Sequence, residues 1–425
     1  MRLRWAAFAA AFCLLCAPLS AQEARTLTLG EAFTRLLARH PDLARFQYSR
    51  EGAQADLDEA TQRPPLRVGL ESENWPGTHA QAGTDEAQVT LSLASVLERG
   101  AKRDARRAVA DAQMQALGLQ EQARRLDLLA EVARRFLDLL ADQALKQIAD
   151  REVAQRERGA EAAAQRVRAG ASPDSVRLTA EAAVARARLQ RDRTQTEARA
   201  AARSLAALWN DRIPDFDRVT GDLLALPAVP PLDSLSALIE RSPQLRQFAD
   251  EKRLREARVQ LARSARSADI EWQAGVRRLE TTHEWTAVVG FSIPLGARTR
   301  AEPGVRAAEA ELAALSLDRE SQEITLYETL IDAHARLAAT SLEVEMARTE
   351  VLPSLERAER AAEHAYRAGA ASYLEWAQVQ SERTASLREQ IQASLNAHRA
   401  LIEIQRLTGQ PFIAAASLTP EETQP

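Results

Sequence analysis

Cysteine is almost missing from this chain: of 425 residues only Cys13 and Cys16 carry a thiol. Both lie close to the start, so the rest of the chain has no disulfide framework and no thiolate metal site. Lysine is nearly as rare, with Lys102, Lys146 and Lys252 the only examples among 56 basic residues. The many arginines alternate with carboxylates along the chain, and no basic patch marks a nucleic-acid partner. Aromatic residues make up only 4%, too few for an ordinary all-β core. No phosphate-cradling glycine loop and no nucleophile elbow occurs. The six histidines, His40, His79, His283, His334, His364 and His398, include no helical pair at ligand spacing. The sequence therefore offers no catalytic site, no resident metal and no cofactor site, and the chain does not read as an enzyme. His79 and His283, in strand-connecting loops, read as ordinary solvated loop residues rather than as metal contacts.

What remains is abundant: Ala, Leu, Arg and Glu, a composition that favours helix. Residues 1–21 form a signal peptide, with Arg2 and Arg4 ahead of an apolar run from Trp5 to Cys16 and a small residue, Ala21, at the cut. The run is short for a membrane span, and bulky Leu15 spoils a lipoprotein motif at Cys16. Cleavage removes both cysteines and takes the formal charge from -4 to about -6.

Beyond it the chain repeats itself. Thr28 and Glu31 have capping-box spacing and open a short helix to His40, where Pro41 starts a second. Pro64-Pro65 stops that one ahead of two alternating runs. Ser95 and Glu98 again have capping-box spacing, and from there to Ala169 no proline intervenes, which predicts about 70 residues of helix, roughly 105 Å. Leu126, Leu129, Ala133, Phe136, Leu140 and Ala144 mark a coiled-coil seam along it. Gly170 ends this helix, and Ser172-Pro173 starts a return helix to Asn210. The same order recurs about 200 residues later: Ser242-Pro243, a helix, two alternating runs, Pro294 and Pro303 around a kinked entry, a long helix to Gly369 and a return helix to Gly409. Arg367-Ala368-Gly369 repeats Arg168-Ala169-Gly170. The implied units are a first repeat at 22–210, a proline-rich linker at 211–231, a second repeat at 232–410 and a tail at 411–425.

The alternating runs are the departure from helix. Leu66, Val68 and Leu70 form the first, Ala87, Val89, Leu91 and Leu93 the second, Ile270, Trp272, Ala274 and Val276 the third, and Trp285, Ala287, Val289, Phe291 and Ile293 the fourth. Each is about nine residues, enough to cross a bilayer as a tilted strand. Strands cross lipid only as closed barrels, and four cannot close, so oligomerisation is required. Trp75, Trp272 and Trp285 fall where an aromatic girdle belongs. The competing reading is a small soluble sheet in a periplasmic coiled-coil scaffold. The export signal and the long helices favour the membrane.

These features together resemble the TolC-type outer-membrane efflux proteins over essentially the whole mature chain. The carriers are the two-fold repeat, His40-Pro41-Asp42-Leu43 and Ser242-Pro243-Gln244-Leu245, Phe291-Ser292-Ile293-Pro294-Leu295, and the two Arg-Ala-Gly turns. Glu71-Ser72-Glu73-Asn74-Trp75-Pro76-Gly77 and Leu97-Glu98-Arg99-Gly100-Ala101-Lys102-Arg103 look like the CzcC-type heavy-metal efflux branch. The segment Leu93–Leu97 departs from the family pattern in lacking a proline after the strand, and Gly296-Ala297-Arg298 matches its glycine-rich turn loosely. The resemblance implies a mainly α fold with a small β part: a homotrimer with a helical barrel and twelve strands, four from each chain, in outer-membrane lipid. It also implies a periplasmic adaptor and an inner-membrane pump of the resistance-nodulation-division class as partners. Arg168, Gly170, Ser172, Arg367, Gly369 and Ser372 would then form an adaptor-binding periplasmic tip, with Asp174 and Glu375 as candidate gate residues. Plain helix capping and dipole preference explain the same charges. The implied function is passive conduction, of metal cations or alternatively of drugs or secreted polypeptide.

Overall fold

Capping chemistry sets the first boundaries in the computed structural model, which describes residues 25–74 and 85–412. Thr28 accepts from the Glu31 backbone N–H while the Glu31 carboxylate accepts from Thr28, and this box opens α1 (Leu29–Arg39). Proline at the first helical position then starts α2 (Pro41–Ala60). Strands β2 (Arg67–Glu73) and β3 (Gln88–Leu97) follow, then α3 (Lys102–Arg168), 67 residues without a break. The return helix α4 (Asp174–Ala206) ends in a short 3₁₀ turn closed by Asn210 at φ 66°. The second half runs α5 (Leu232–Ile239), α6 (Pro243–Ser264), β5 (Ile270–Leu279), β6 (Glu284–Ser292), α7 (Ala297–Met346), α8 (Leu352–Ala368) and α9 (Tyr373–Thr408). The order of elements in the first half is thus repeated in the second.

Four details differ from the sequence expectation. Ser95 lies inside β3, where its hydroxyl donates to the Pro65 carbonyl, and Glu98 pairs with Arg106. No capping box forms there; Gly100 and Ala101, both at positive φ, turn the chain into α3. The segment without the proline, Leu93–Leu97, simply continues the strand. Pro303 sits inside α7, in its second turn, instead of ending a loop; it forgoes one helical hydrogen bond near the helix start, and Val305 two residues on is fully buried. The second long helix is interrupted by a π-helical segment, Ala347–Val351, separated only by Leu352 from Pro353 at the start of α8. Pro353 has no N–H for the carbonyl four residues back, and the wider π turn absorbs the mismatch. Ala154 occupies the equivalent place in α3, which stays regular.

The expected linker is built into the core. Its strand β4 (Arg218–Val219) pairs in parallel with β1 (Thr26–Leu27), and Phe216, Val219 and Leu223 join a buried cluster with Leu36, Phe136, Leu205 and Trp209. Ser394 and His398 of α9 both hydrogen-bond the Leu223 carbonyl. The coiled-coil seam is confirmed at Ala133, Phe136 and Leu140, all buried, with Leu129 and Ala144 packed against them.

Helices pack in open rows. Near the strands the order is α2, α3, α6, α7; at the far end it is α4, α3, α9, α8. Ion pairs set the antiparallel register of α9 on α3: Arg406 to Asp127, Arg399 to Asp138 and Arg388 to Glu152. The β2–β3 and β5–β6 hairpins join through β3 and β5 into one antiparallel sheet of order β2-β3-β5-β6. Phe136, 0% exposed, sits where α3 meets the β1–β4 strap and both return helices. Phe136→Ala should cost about 3–5 kcal/mol, read as a lowered unfolding midpoint in detergent; a shift under about 1 kcal/mol would show that the core repacks around the gap.

Candidate conduction wall and tip

The two faces of the four-stranded sheet have opposite chemistry. Register places Val68, Leu93, Ala274 and Val289 in one row across the strands, and Leu70, Leu91, Val276 and Ala287 in the next. These belong to a single face, and it is bare: Val68 is 75% exposed, Leu70 74%, Phe291 73% and Val289 65%. Uncovered apolar surface of this extent marks an interaction surface. The opposite face carries Arg67, Glu71, Gln88, Thr90, Ser92, Gln273, Arg277 and Thr286. There Arg277 donates to Thr90 Oγ1 at 2.9 Å and Gln88 Oε1 at 3.1 Å and lies 3.5 Å from Glu73, tying three strands together. Trp272 and Trp285 stand on the apolar face near its two ends. Trp75 and His79 lie outside the described residues.

At the other extreme of the helices the two Arg-Ala-Gly turns come together. Gly170 (φ 70°) and Gly369 (φ 81°) adopt the left-handed conformation that lets a helix end and reverse, closed by Ala171 N–H to Arg166 O and Ala370 N–H to Ala365 O. Arg166, which sequence reading passed over, joins them: its guanidinium donates to the Tyr366 carbonyl at 2.6 Å and lies 4.9 Å from the Tyr366 ring centre. Tyr366 stacks on Trp376 at 5.2 Å, and Tyr373 meets both edge-on. In a chain so poor in aromatics, Tyr366, Tyr373 and Trp376 within one turn of the repeat were the available signal. Deeper in, Arg156 is buried and donates to the Ala377 carbonyl and Ser381 hydroxyl, while Gln155 of α3 bonds Glu359 of α8.

The sequence-predicted tip residues divide by role. Arg168 is exposed at the end of α3 and has no ion pair among the described residues, whereas Arg367 pairs with Glu363 at 2.5 Å. Ser372 caps α9 reciprocally with Glu375; Ser172 makes no such cap, because Pro173 takes the capping position of α4. Asp174 is held by Arg177, and that guanidinium keeps its carboxyl below the usual range. The Ser372 backbone N–H and hydroxyl do the same for Glu375. Among the described residues no cluster of metal-ligating side chains occurs.

An uncovered apolar sheet face, a polar face behind it, two sheet edges without a partner among the described residues and helices in open rows define a stave of a larger wall. The family model for outer membrane efflux proteins matches residues 33–211 and 234–410, and the chain belongs to that family, whose members are ducts of efflux systems and not enzymes. It is 28% identical over 298 residues to the cobalt-zinc-cadmium resistance protein CzcC of Cupriavidus metallidurans, covering 70% of each. Its fold is that of solved CusC (TM-score 0.76, 16% identity, 91% and 93% of the two chains). VceC from Vibrio cholerae is similar (TM-score 0.71, 16% identity, 90% and 96%), as is a membrane protein from Pseudomonas aeruginosa (TM-score 0.73, 19% identity, 91% of each).

One carboxylate along the helices is held under strain. Asp142, half-buried on α3, faces Glu197 and Asp138, with Arg399 as the opposing charge; burial first, then these like charges, push it up to about 6. Its native value lies above the ordinary 3.8, so ionisation costs stability as pH rises from about 4 to 6. Asp142→Asn should therefore raise the unfolding midpoint at pH 7.5 and leave it unchanged at pH 4; equal shifts at both pH values would contradict the assignment.

Proposed function

We propose that this chain is the outer-membrane channel subunit of a tripartite efflux system and conducts heavy-metal cations passively to the exterior. The observation that carries this reading is the sheet whose two edge strands, β2 and β6, have no partner among the described residues while its apolar face is bare. Lipid tolerates such a sheet only if further copies complete it into a barrel. The helix rows repeat the pattern: Tyr48 on edge helix α2 is 69% exposed, Leu189 on edge helix α4 71%, and Leu317 on edge helix α7 67%. Strand β6 would pair with β2 of the next copy, α7 would pack on α2, and α8 on α4. Three copies give twelve strands in the outer membrane, with the helices extending into the periplasm.

No helix of the described residues is long and apolar enough to cross a membrane. Energy would come from an inner-membrane pump of the resistance-nodulation-division class, in keeping with a sequence that carries no phosphate-cradling glycine loop. A periplasmic adaptor would meet the tip formed by Arg168, Gly170, Ser172, Arg367, Gly369 and Ser372. Asp174 and Glu375, next to the two turns, are the candidates for charges that rearrange as the narrow end opens. The likeness to a cobalt-zinc-cadmium resistance protein supports metal cations as cargo.

A strain lacking this gene should become sensitive to cobalt, zinc or cadmium while its tolerance of lipophilic drugs is unchanged, and the intact gene should restore growth. Drug sensitivity without metal sensitivity would overturn the cargo assignment and favour a multidrug duct.

A further inference from the structure

We infer that Arg278 and Trp285 form a contact for a phosphorylated lipid headgroup in the outer leaflet; this rests on the membrane insertion proposed above. Arg278 breaks the chemistry of its face. The register puts it in the row of Ser72, Val89 and Trp285, on the same side as Leu91, Val276 and Phe291 and opposite to Arg277. An arginine facing lipid is costly at the bilayer midplane and nearly free of cost near the interface. Its depth follows from the topology. Helices α2, α3, α6 and α7 all join the sheet at one end, so the turn between Leu279 and Glu284 lies at the other. Arg278 is one residue from that turn, at the outer rim of the apolar face.

The side chain is already shaped for an anion. Its guanidinium carbon lies 5.7 Å from the ring centre of Trp285, which is itself 64% exposed. Glu280 accepts from Nε at 2.9 Å and from Nη2 at 3.3 Å, which fixes the plane of the fork. Nη1 has no partner among the described residues. His283 also bonds Glu280, at 3.0 Å, and so shares the carboxylate that pairs with the guanidinium. A planar fork held over an aromatic ring at headgroup depth is suited to phosphate oxygens. Tryptophan at this level is itself at home in the interface.

The test uses the full-length protein in nanodiscs, with native mass spectrometry counting bound bisphosphorylated lipid A against its dephosphorylated form. Wild type should retain the phosphorylated lipid preferentially. Arg278→Ala should lose that preference by about tenfold, Arg278→Lys should keep part of it, and Glu280→Gln, which frees the fork, should strengthen it. A wild-type chain that inserts and binds both lipids alike overturns the headgroup contact alone, as does an Arg278→Ala chain with undiminished preference. A wild-type chain that never enters the membrane overturns both readings. Glu280→Gln keeps the question answerable if Arg278→Ala fails to assemble, because weaker retention in that variant would equally contradict the contact.

Discussion

Hydrogen bonding in a medium without water is the constraint from which the rest follows. Every backbone N–H and C=O inside the hydrocarbon must find a protein partner. In one copy of this chain the inner edges of β3 and β5 satisfy each other, while the outer edges of β2 and β6 have no partner among the described residues. A four-stranded sheet with a bare apolar face is unstable in water and incomplete in lipid. Glu73, Gln88, Thr90 and Arg277 lie together on the face opposite the apolar one. The open helix rows share the same incompleteness, so strand and helix edges point to one closure.

The duplicated halves meet this demand with unequal parts. In the first, α3 is one unbroken strut and its turn is charged, with Arg166, Asp174 and Arg177 close to Gly170. In the second, the strut is divided by the π segment before Pro353 and its turn is aromatic. The halves lock where these differences meet, through Arg166 on Tyr366 and Gln155 on Glu359. A perfect repeat would place like against like at the tip; divergence has made the two faces complementary. The middle is fixed differently, by the 211–231 segment crossing α3 and α9 and donating Phe216, Val219 and Leu223 to the common core.

Much of this was legible because local signals agreed with global order. The Thr28 capping box, Pro41 and Pro243 at helix starts and the two Arg-Ala-Gly turns all fall where spacing put them. The strands were legible because period-2 alternation survives when one face meets lipid and the other water. Ser95 and Glu98 misled because capping-box spacing is a local pattern, and the β3–β5 ladder extends through Leu97 and outweighs it. The π segment was hidden because a single proline in a long helical pattern does not reveal whether the chain breaks, kinks or widens. At the tip, spacing located the turns and the charges at their ends. The contact that joins them was not legible, since Arg166 has no counterpart in the second repeat and its acceptor is a backbone carbonyl. The packing of the supposed linker was hidden too, because four prolines read as loop whether or not the loop is buried.

The central claim is that the sheet has a lipid side and a water side, and adjacent valines in β6 test it with identical chemistry. Val289 lies on the apolar face and Val288 on the polar one. Outer-membrane fractionation and planar-bilayer conductance of Val289→Arg and Val288→Arg provide the measurement. The account predicts that Val289→Arg abolishes insertion, at a cost of about 2–4 kcal/mol for each copy, while Val288→Arg inserts and alters conductance. Equal insertion of the two variants, or loss with Val288→Arg alone, would contradict it.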